Sequence, residues 1–286
     1  MNEKRIAYIK IILAMLIWGS LGIFASNIPL ESSQIVLGRI CLGGLFLLVV
    51  FILKGIKSPR ENLKKVLPVL LVSGCLMGFN WVFLFEAYRY TSVSIATIAY
   101  YMAPIIVMAA SPFVLKERIT FPKFVGIALA MVGIVLTAGE LGGGVNPLKG
   151  FIYGLAAAFL YACVTLLNKK VSGISGIEIT LVQLLGAGVV ILPYALLTNT
   201  SGWDVPGGLG IICLIIIGIV HTGIALYLYF SAIQQLPGQT VALCSYIDPG
   251  SALVFSAVFL GDRLGFIEII GAIMILGGAA FGEMKK

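Results

Sequence analysis

Charge is what this chain of 286 residues has least of: Asp, Glu, Lys and Arg make up 11% of it, against 60% hydrophobic residues. Soluble domains carry about 25% charged and roughly 45–50% apolar residues, so a water-soluble enzyme core is excluded. Histidine is nearly absent, with His221 standing alone, which excludes a histidine-built metal cage. The five cysteines (Cys41, Cys75, Cys163, Cys213 and Cys244) all lie in apolar runs without CxxC spacing. They read as small hydrophobic filler, not as a disulfide framework. No GxxxxGK[ST], HExxH or GxSxG motif occurs, so the sequence supports neither direct ATP coupling nor a zinc or serine hydrolase. The net charge of +7 is scattered over short loops and gives no reason to expect nucleic acid as a partner.

What is present is a succession of apolar runs. Hydropathy predicts spans at 6–25, 34–53, 66–88, 93–115, 121–139, 150–168, 178–198, 209–231, 239–260 and 264–282. Ten spans of about 20 residues use about 200, leaving roughly 86 for loops and ends and no room for a soluble domain. Residues 1–26 have the outline of a signal peptide, but the apolar stretch is long enough to span. With the N-terminus placed in the cytoplasm, Arg89, Lys149 and Arg263 fall on the outer side and Arg39 within a span, and the remaining basic residues all fall inside. Such asymmetry predicts both termini in the cytoplasm and an even number of spans in the cell membrane.

The chain also resembles itself. Residues 78–133 align without gaps on 223–278, pairing Phe85 with Phe230, Tyr101 with Tyr246, Pro104 with Pro249, Ser111 with Ser256, Arg118 with Arg263 and Gly133 with Gly278. Earlier helices pair Trp18 with Tyr161 and Arg39 with Gln183. A repeat of five spans inserts its second copy upside down. The predicted fold is therefore all-α: ten transmembrane helices in two inverted five-helix halves, 1–143 and 144–286, around a central cavity.

The run FEAYRYTSVSIATIAYYMAPIIVMAASPFVLKERIT carries Tyr90, Thr91 and Ser92 at a turn, Pro104 in mid-helix and Glu117 with Arg118 at its close. A second run, QLPGQTVALCSYIDPGSALVFSAVFLGDRLG, carries Pro249 and then Asp262 with Arg263. With Trp18 and Gly19 in the first span, these residues make the whole chain similar to the EamA-type branch of the drug/metabolite transporter superfamily. That resemblance implies a ten-helix carrier exporting amino acids, their derivatives or other small metabolites and drugs, with nucleotide-sugar carriers as more distant relatives. Glu86 and Asp248, placed within spans, depart from the commoner pattern.

Candidate site residues come from three patterns. Thr97, Tyr101, Pro104, Met108 and Ser111 form one helical stripe, matched by Ala242, Tyr246, Pro249, Leu253 and Ser256. Each proline removes a backbone hydrogen bond, and the freed carbonyls near Tyr100 and Ser245 need partners that a wet cavity can supply. Ionisable groups inside spans cost roughly 2.5 to 3.5 kcal/mol and usually face a cavity or a partner. Asp248 and His221 lie at matching depths, where a hydrogen bond or proton relay is conceivable. Arg39 and Glu86 both lie in the outer half, where they could pair, although Arg89 also stands within reach of Glu86. Alternatively, Arg39 holds a substrate carboxylate. Aromatics crowd the third span and its partner, among them Trp81, Tyr88 and Tyr229.

The expected function is a secondary transporter exporting amino-acid-like or other small metabolites by alternating access. Proton coupling would run through Asp248, Glu86 or His221. The expected partners are a small-molecule substrate and the lipid bilayer. No catalytic residues, cofactor or metal site are expected. A nucleotide-sugar or drug carrier is the alternative. A membrane-embedded enzyme assembled from Ser245 or Cys244 with Asp248 and His221 is a weaker one, opposed by the single histidine and the repeat.

Overall fold

The computed structural model describes residues 3–55, 59–138, 145–199, 202, 205–261 and 265–284. Asp262 and Arg263, Lys57 and the C-terminal Lys285 and Lys286 lie outside the described residues. Among the described residues the fold is all-helical. Nine helices are long and apolar enough to cross a membrane: α1 (Glu3–Ala25), α2 (Ser32–Leu53), α3 (Glu61–Tyr90), α4 (Ile95–Val114), α6 (Pro147–Lys169), α7 (Gly176–Thr198), α8 (Leu209–Ile233), α9 (Gly238–Leu260) and α10 (Phe266–Glu283). Between α4 and α6 runs the shorter apolar helix α5 (Phe121–Thr137). The exterior is apolar: Phe113 and Leu197 are 87% and 85% exposed, a pattern suited to lipid, where helices satisfy their own backbone groups.

α3 begins several residues before the predicted 66. The charged residues Glu61, Lys64 and Lys65 mask its start in a hydropathy reading but are good helix formers. Four helices are interrupted. α1 breaks at Ser20. α4 breaks at Tyr101 and Met102, and α9 at Ser245 and Tyr246, in each case just ahead of a proline. Proline fits the first turn of a new helical segment, where an N–H has no intrahelical partner. α8 widens into a π-helix over Ile217–Ile224.

Packing follows a matched scheme. α3 packs on α6 and α7, α8 packs on α1 and α2, α4 contacts α6 and α9, and α9 contacts α1. Small residues allow the closest crossings. A Cβ on Gly133 would lie 2.5 Å from the carbonyl of Gly271, and one on Gly126 2.5 Å from that of Gly278, so α5 and α10 meet backbone to backbone. Gly133→Ala is therefore expected to lose about 1–3 kcal/mol of stability through overpacking. Gly277→Ala on α10, where a Cβ meets nothing within 4 Å, should be near neutral. Thermal denaturation of the two purified variants checks this; equal melting temperatures would contradict it.

Candidate functional site

The interrupted helices surround a cavity of about 610 Å³. α3 contributes Met77, Asn80, Trp81, Leu84, Phe85 and Tyr88, one helical face at i, i+3, i+4, i+7, i+8 and i+11. α4 adds Thr97, Tyr100, Tyr101 and Pro104, and α6 and α8 add Tyr161 and Tyr229. From α9 come Ser245, Asp248, Ala252 and Ser256. Among the described lining residues, Arg39 and Asp248 are the only charged side chains.

The two broken helices brace each other through repeat mates. The Tyr246 hydroxyl donates to the backbone carbonyl of Tyr101 at 3.3 Å. The Tyr101 hydroxyl in turn donates to Asp248 Oδ2 at 3.4 Å. One carbonyl at the break thus finds a hydrogen-bond partner in the opposing helix.

Arg39 is fixed from two sides. Its Nε donates to Thr222 Oγ1 at 2.8 Å, and its guanidinium lies 5.3 Å from the centre of the Trp81 ring. The Thr222 hydroxyl donates to the carbonyl of Ile217, five residues back, at 3.1 Å, so the π-helical register of α8 brings this hydroxyl against Arg39.

The sequence candidates are distributed as follows. Thr97, Tyr101, Pro104, Asp248 and Arg39 line the cavity. Tyr246 is fully buried behind it. Pro249 lines an adjoining hollow of about 310 Å³ with Thr97, Tyr101 and Leu253. The face of α9 turned to the main cavity passes through Asp248, Ala252 and Ser256, so it shares Ser256 with the predicted stripe and is otherwise offset from it.

His221 is not brought to Asp248. Its Nε2 lies 3.0 Å from Ser20 Oγ, its ring meets Phe24 edge-on at 5.2 Å, and its carbonyl accepts from Trp18 Nε1 at 2.9 Å. The cause is topological: α1 packs against both α8 and α9, so matched depth does not make these two side chains neighbours. Nor does Arg39 meet Glu86. Glu86 Oε1 accepts from Arg89 Nη1 and from the Tyr194 hydroxyl, each at 2.8 Å, and ties the end of α3 to α7. Glu86 stands off the α3 face that lines the cavity.

Asn80, Tyr100 and Tyr161 are cavity residues that the sequence patterns did not single out. The i, i+3, i+4 spacing of Met77, Asn80 and Trp81 carried a signal for the first. Tyr161 is the repeat mate of Trp18, and both line the cavity.

The lining starts near mid-helix, at Met15, Met77 and Ser245, and extends to Ile23, Tyr88, Val93 and Leu260 at the far ends. The other end, near the chain's N-terminus, is tied shut. Glu117 Oε1 and Oε2 accept from the backbone N–H groups of Gly238 and Gln239 at 2.7 and 3.1 Å, capping the start of α9 from another helix pair. Lys123 Nζ donates to Thr240 Oγ1 at 3.3 Å and lies 4.0 Å from Glu283 Oε1. The Tyr8 hydroxyl donates to Glu283 Oε2 at 2.5 Å, and Lys169 donates to the carbonyl of Leu236.

The chain is similar to known transporters over its whole length. The EamA-like transporter family matches residues 5–139 and again residues 148–282. The "Uncharacterized transporter YxxF" of Bacillus subtilis is 31% identical over 289 residues, covering 100% of this chain and 92% of the relative. A "Probable amino-acid metabolite efflux pump" of Salmonella typhimurium is 28% identical over 227 residues, covering 75% of this chain and 76% of the relative. One solved crystal structure has the same fold, with a TM-score of 0.82 at 19% identity over 96% of this chain and 97% of that one. A fold made of membrane-crossing helices and a family match over both halves lead to one conclusion: this chain is a multi-pass membrane transporter and belongs to the EamA-like transporter family.

Proposed function

We propose that this transporter is a secondary carrier that exports amino-acid-like metabolites across the cytoplasmic membrane by alternating access. In this reading ten helices cross the membrane as two inverted halves, with both termini in the cytoplasm, and the structure corresponds to the state open to the outside. The observation that carries it is one-sided access: a largely apolar and aromatic cavity with a few polar side chains reaches one end of the bundle, while hydrogen bonds between the two halves tie the other. The matched packing of α3 with α6 and α8 with α1 supports two related halves. The relative named as an amino-acid metabolite efflux pump favours the substrate class, as does a cavity holding one cationic and one anionic side chain.

The test is flux in proteoliposomes, using ligands first found by their stabilisation of the purified protein. A carrier shows saturable uptake that is accelerated by substrate on the far side. Flux that neither saturates nor shows counterflow would reject it. The orientation has its own check. Single cysteines at Asn146 and Val205, in a background lacking the native cysteines, should both react with an impermeant reagent from outside. Reaction of only one would break the arrangement.

A further inference from the structure

Two ionisable side chains stand in the cavity wall without partners of opposite charge. Among the described residues the ion pairs are Arg89 with Glu86 and Lys123 with Glu283; Arg39 and Asp248 belong to neither. The partners of Arg39 are a hydroxyl and an indole face, and that of Asp248 is a phenol. Holding an uncompensated charge at membrane depth is unfavourable. Because Thr222 occupies Nε, the two Nη groups form the free end of the guanidinium, the edge that takes a carboxylate through two parallel hydrogen bonds. Trp81 fixes the plane of that group from its face.

We propose that Arg39 is the anion anchor of the cavity, binding a substrate carboxylate through its Nη groups, while Asp248 receives an ammonium group on the same ligand. The cavity then selects molecules carrying both charges, because each compensates one wall charge and a singly charged analogue leaves the other uncompensated. Thr222 acts as a positioning residue: it accepts from Nε and is itself oriented by the Ile217 carbonyl. The aromatic side chains Trp18, Trp81, Phe85 and Tyr229 suit an apolar or aromatic group between the charged ends. This assignment rests on reading the cavity as the substrate site.

Three probes share a phenyl ring and differ in charge: phenylalanine, phenethylamine and 3-phenylpropionate. Their binding to the purified protein is measured by thermal stabilisation across concentration. Wild type should prefer phenylalanine to either analogue by roughly tenfold or more, the scale of a charge-assisted hydrogen bond. Arg39→Gln should abolish the preference over phenethylamine, and Asp248→Asn the preference over 3-phenylpropionate. Arg39→Lys, which keeps the charge but loses the paired donors, should retain part of it. Thr222→Val should weaken phenylalanine more than phenethylamine, and Thr222→Ser should restore the difference.

Equal binding of phenylalanine and phenethylamine to wild type would overturn the anchor, as would an unchanged preference in both Arg39 variants or no stabilisation by any probe. Flux distinguishes the two levels. Counterflow without charge selection would remove the anchor and leave the carrier. Charge-selective binding without counterflow would remove the carrier and leave the anchor.

Discussion

Asp248→Asn is expected to lower flux of zwitterionic or amine substrates by about tenfold or more, while the protein still folds and reaches the membrane. The substitution is nearly isosteric, and the amide oxygen can still accept from the Tyr101 hydroxyl that now reaches Oδ2 at 3.4 Å. What disappears is the only acidic side chain among the described lining residues. Its repeat mate, Ala103, also lines the cavity and is neutral, so the second half of the chain alone supplies this charge. If Asp248 holds an ammonium group, transport weakens as the carboxyl protonates, and the variant loses that acid limb along with its preference for amines. If Asp248 carries a coupled proton, the variant loses the response to an imposed pH gradient instead. Both cases flatten the pH profile, and flux measured across pH in proteoliposomes checks them. A variant with unchanged rate, pH profile and ligand preference would make Asp248 a packing residue. Tyr101→Phe, which removes one hydrogen bond to the carboxyl and leaves its charge, should have a smaller effect in the same direction.

The limits of the sequence are instructive at the same site. Helix position along the chain was legible: hydropathy locates the apolar helices to within a few residues, except where Lys64 and Lys65 conceal the start of α3. The breaks in α4 and α9 were legible because proline has a defined backbone consequence. Azimuth and neighbourhood were not. Asp248 and His221 were placed at one depth, yet α1 contacts both of their helices, and no local pattern encodes which helix stands between two others. Glu86 and Arg39 fail to meet because Glu86 lies off the α3 face from which Trp81 reaches Arg39. The π-helical segment Ile217–Ile224 contains no proline to announce it. Its register brings Thr222 to Arg39, a contact that an ordinary α-helical count along α8 would not have revealed. The cross-bracing of Tyr101 with Tyr246 was half legible: the repeat paired the residues, and only the structure shows the hydroxyl of one donating to the backbone of the other.

Removing the carboxyl group of Glu117 is expected to shift the transporter toward opening at the end near its N-terminus. Both oxygens of that carboxylate hold backbone N–H groups at the start of α9, at 2.7 and 3.1 Å, where an anion also interacts favourably with the helix dipole. A hydrogen bond to a charged group contributes about 1.5–3 kcal/mol, so losing even one should change the balance between the closed and open forms of this end by roughly tenfold or more. Ser111, fully buried beside Gly238, reports the change when replaced by cysteine in a background lacking the native cysteines. Its reaction with a maleimide, applied from the cytoplasmic side of inside-out vesicles, should be slow with Glu117 present and about tenfold faster in Glu117→Ala. Glu117→Gln, which keeps an acceptor but not the charge, should fall between them. Lys123 with Glu283, Tyr8 with Glu283 and Lys169 with Leu236 would still tie this end, so the shift should be partial, and bound substrate should add to it. Equal labelling rates in wild type and Glu117→Ala would show that the cap on α9 is a static packing contact with no part in closing the cavity.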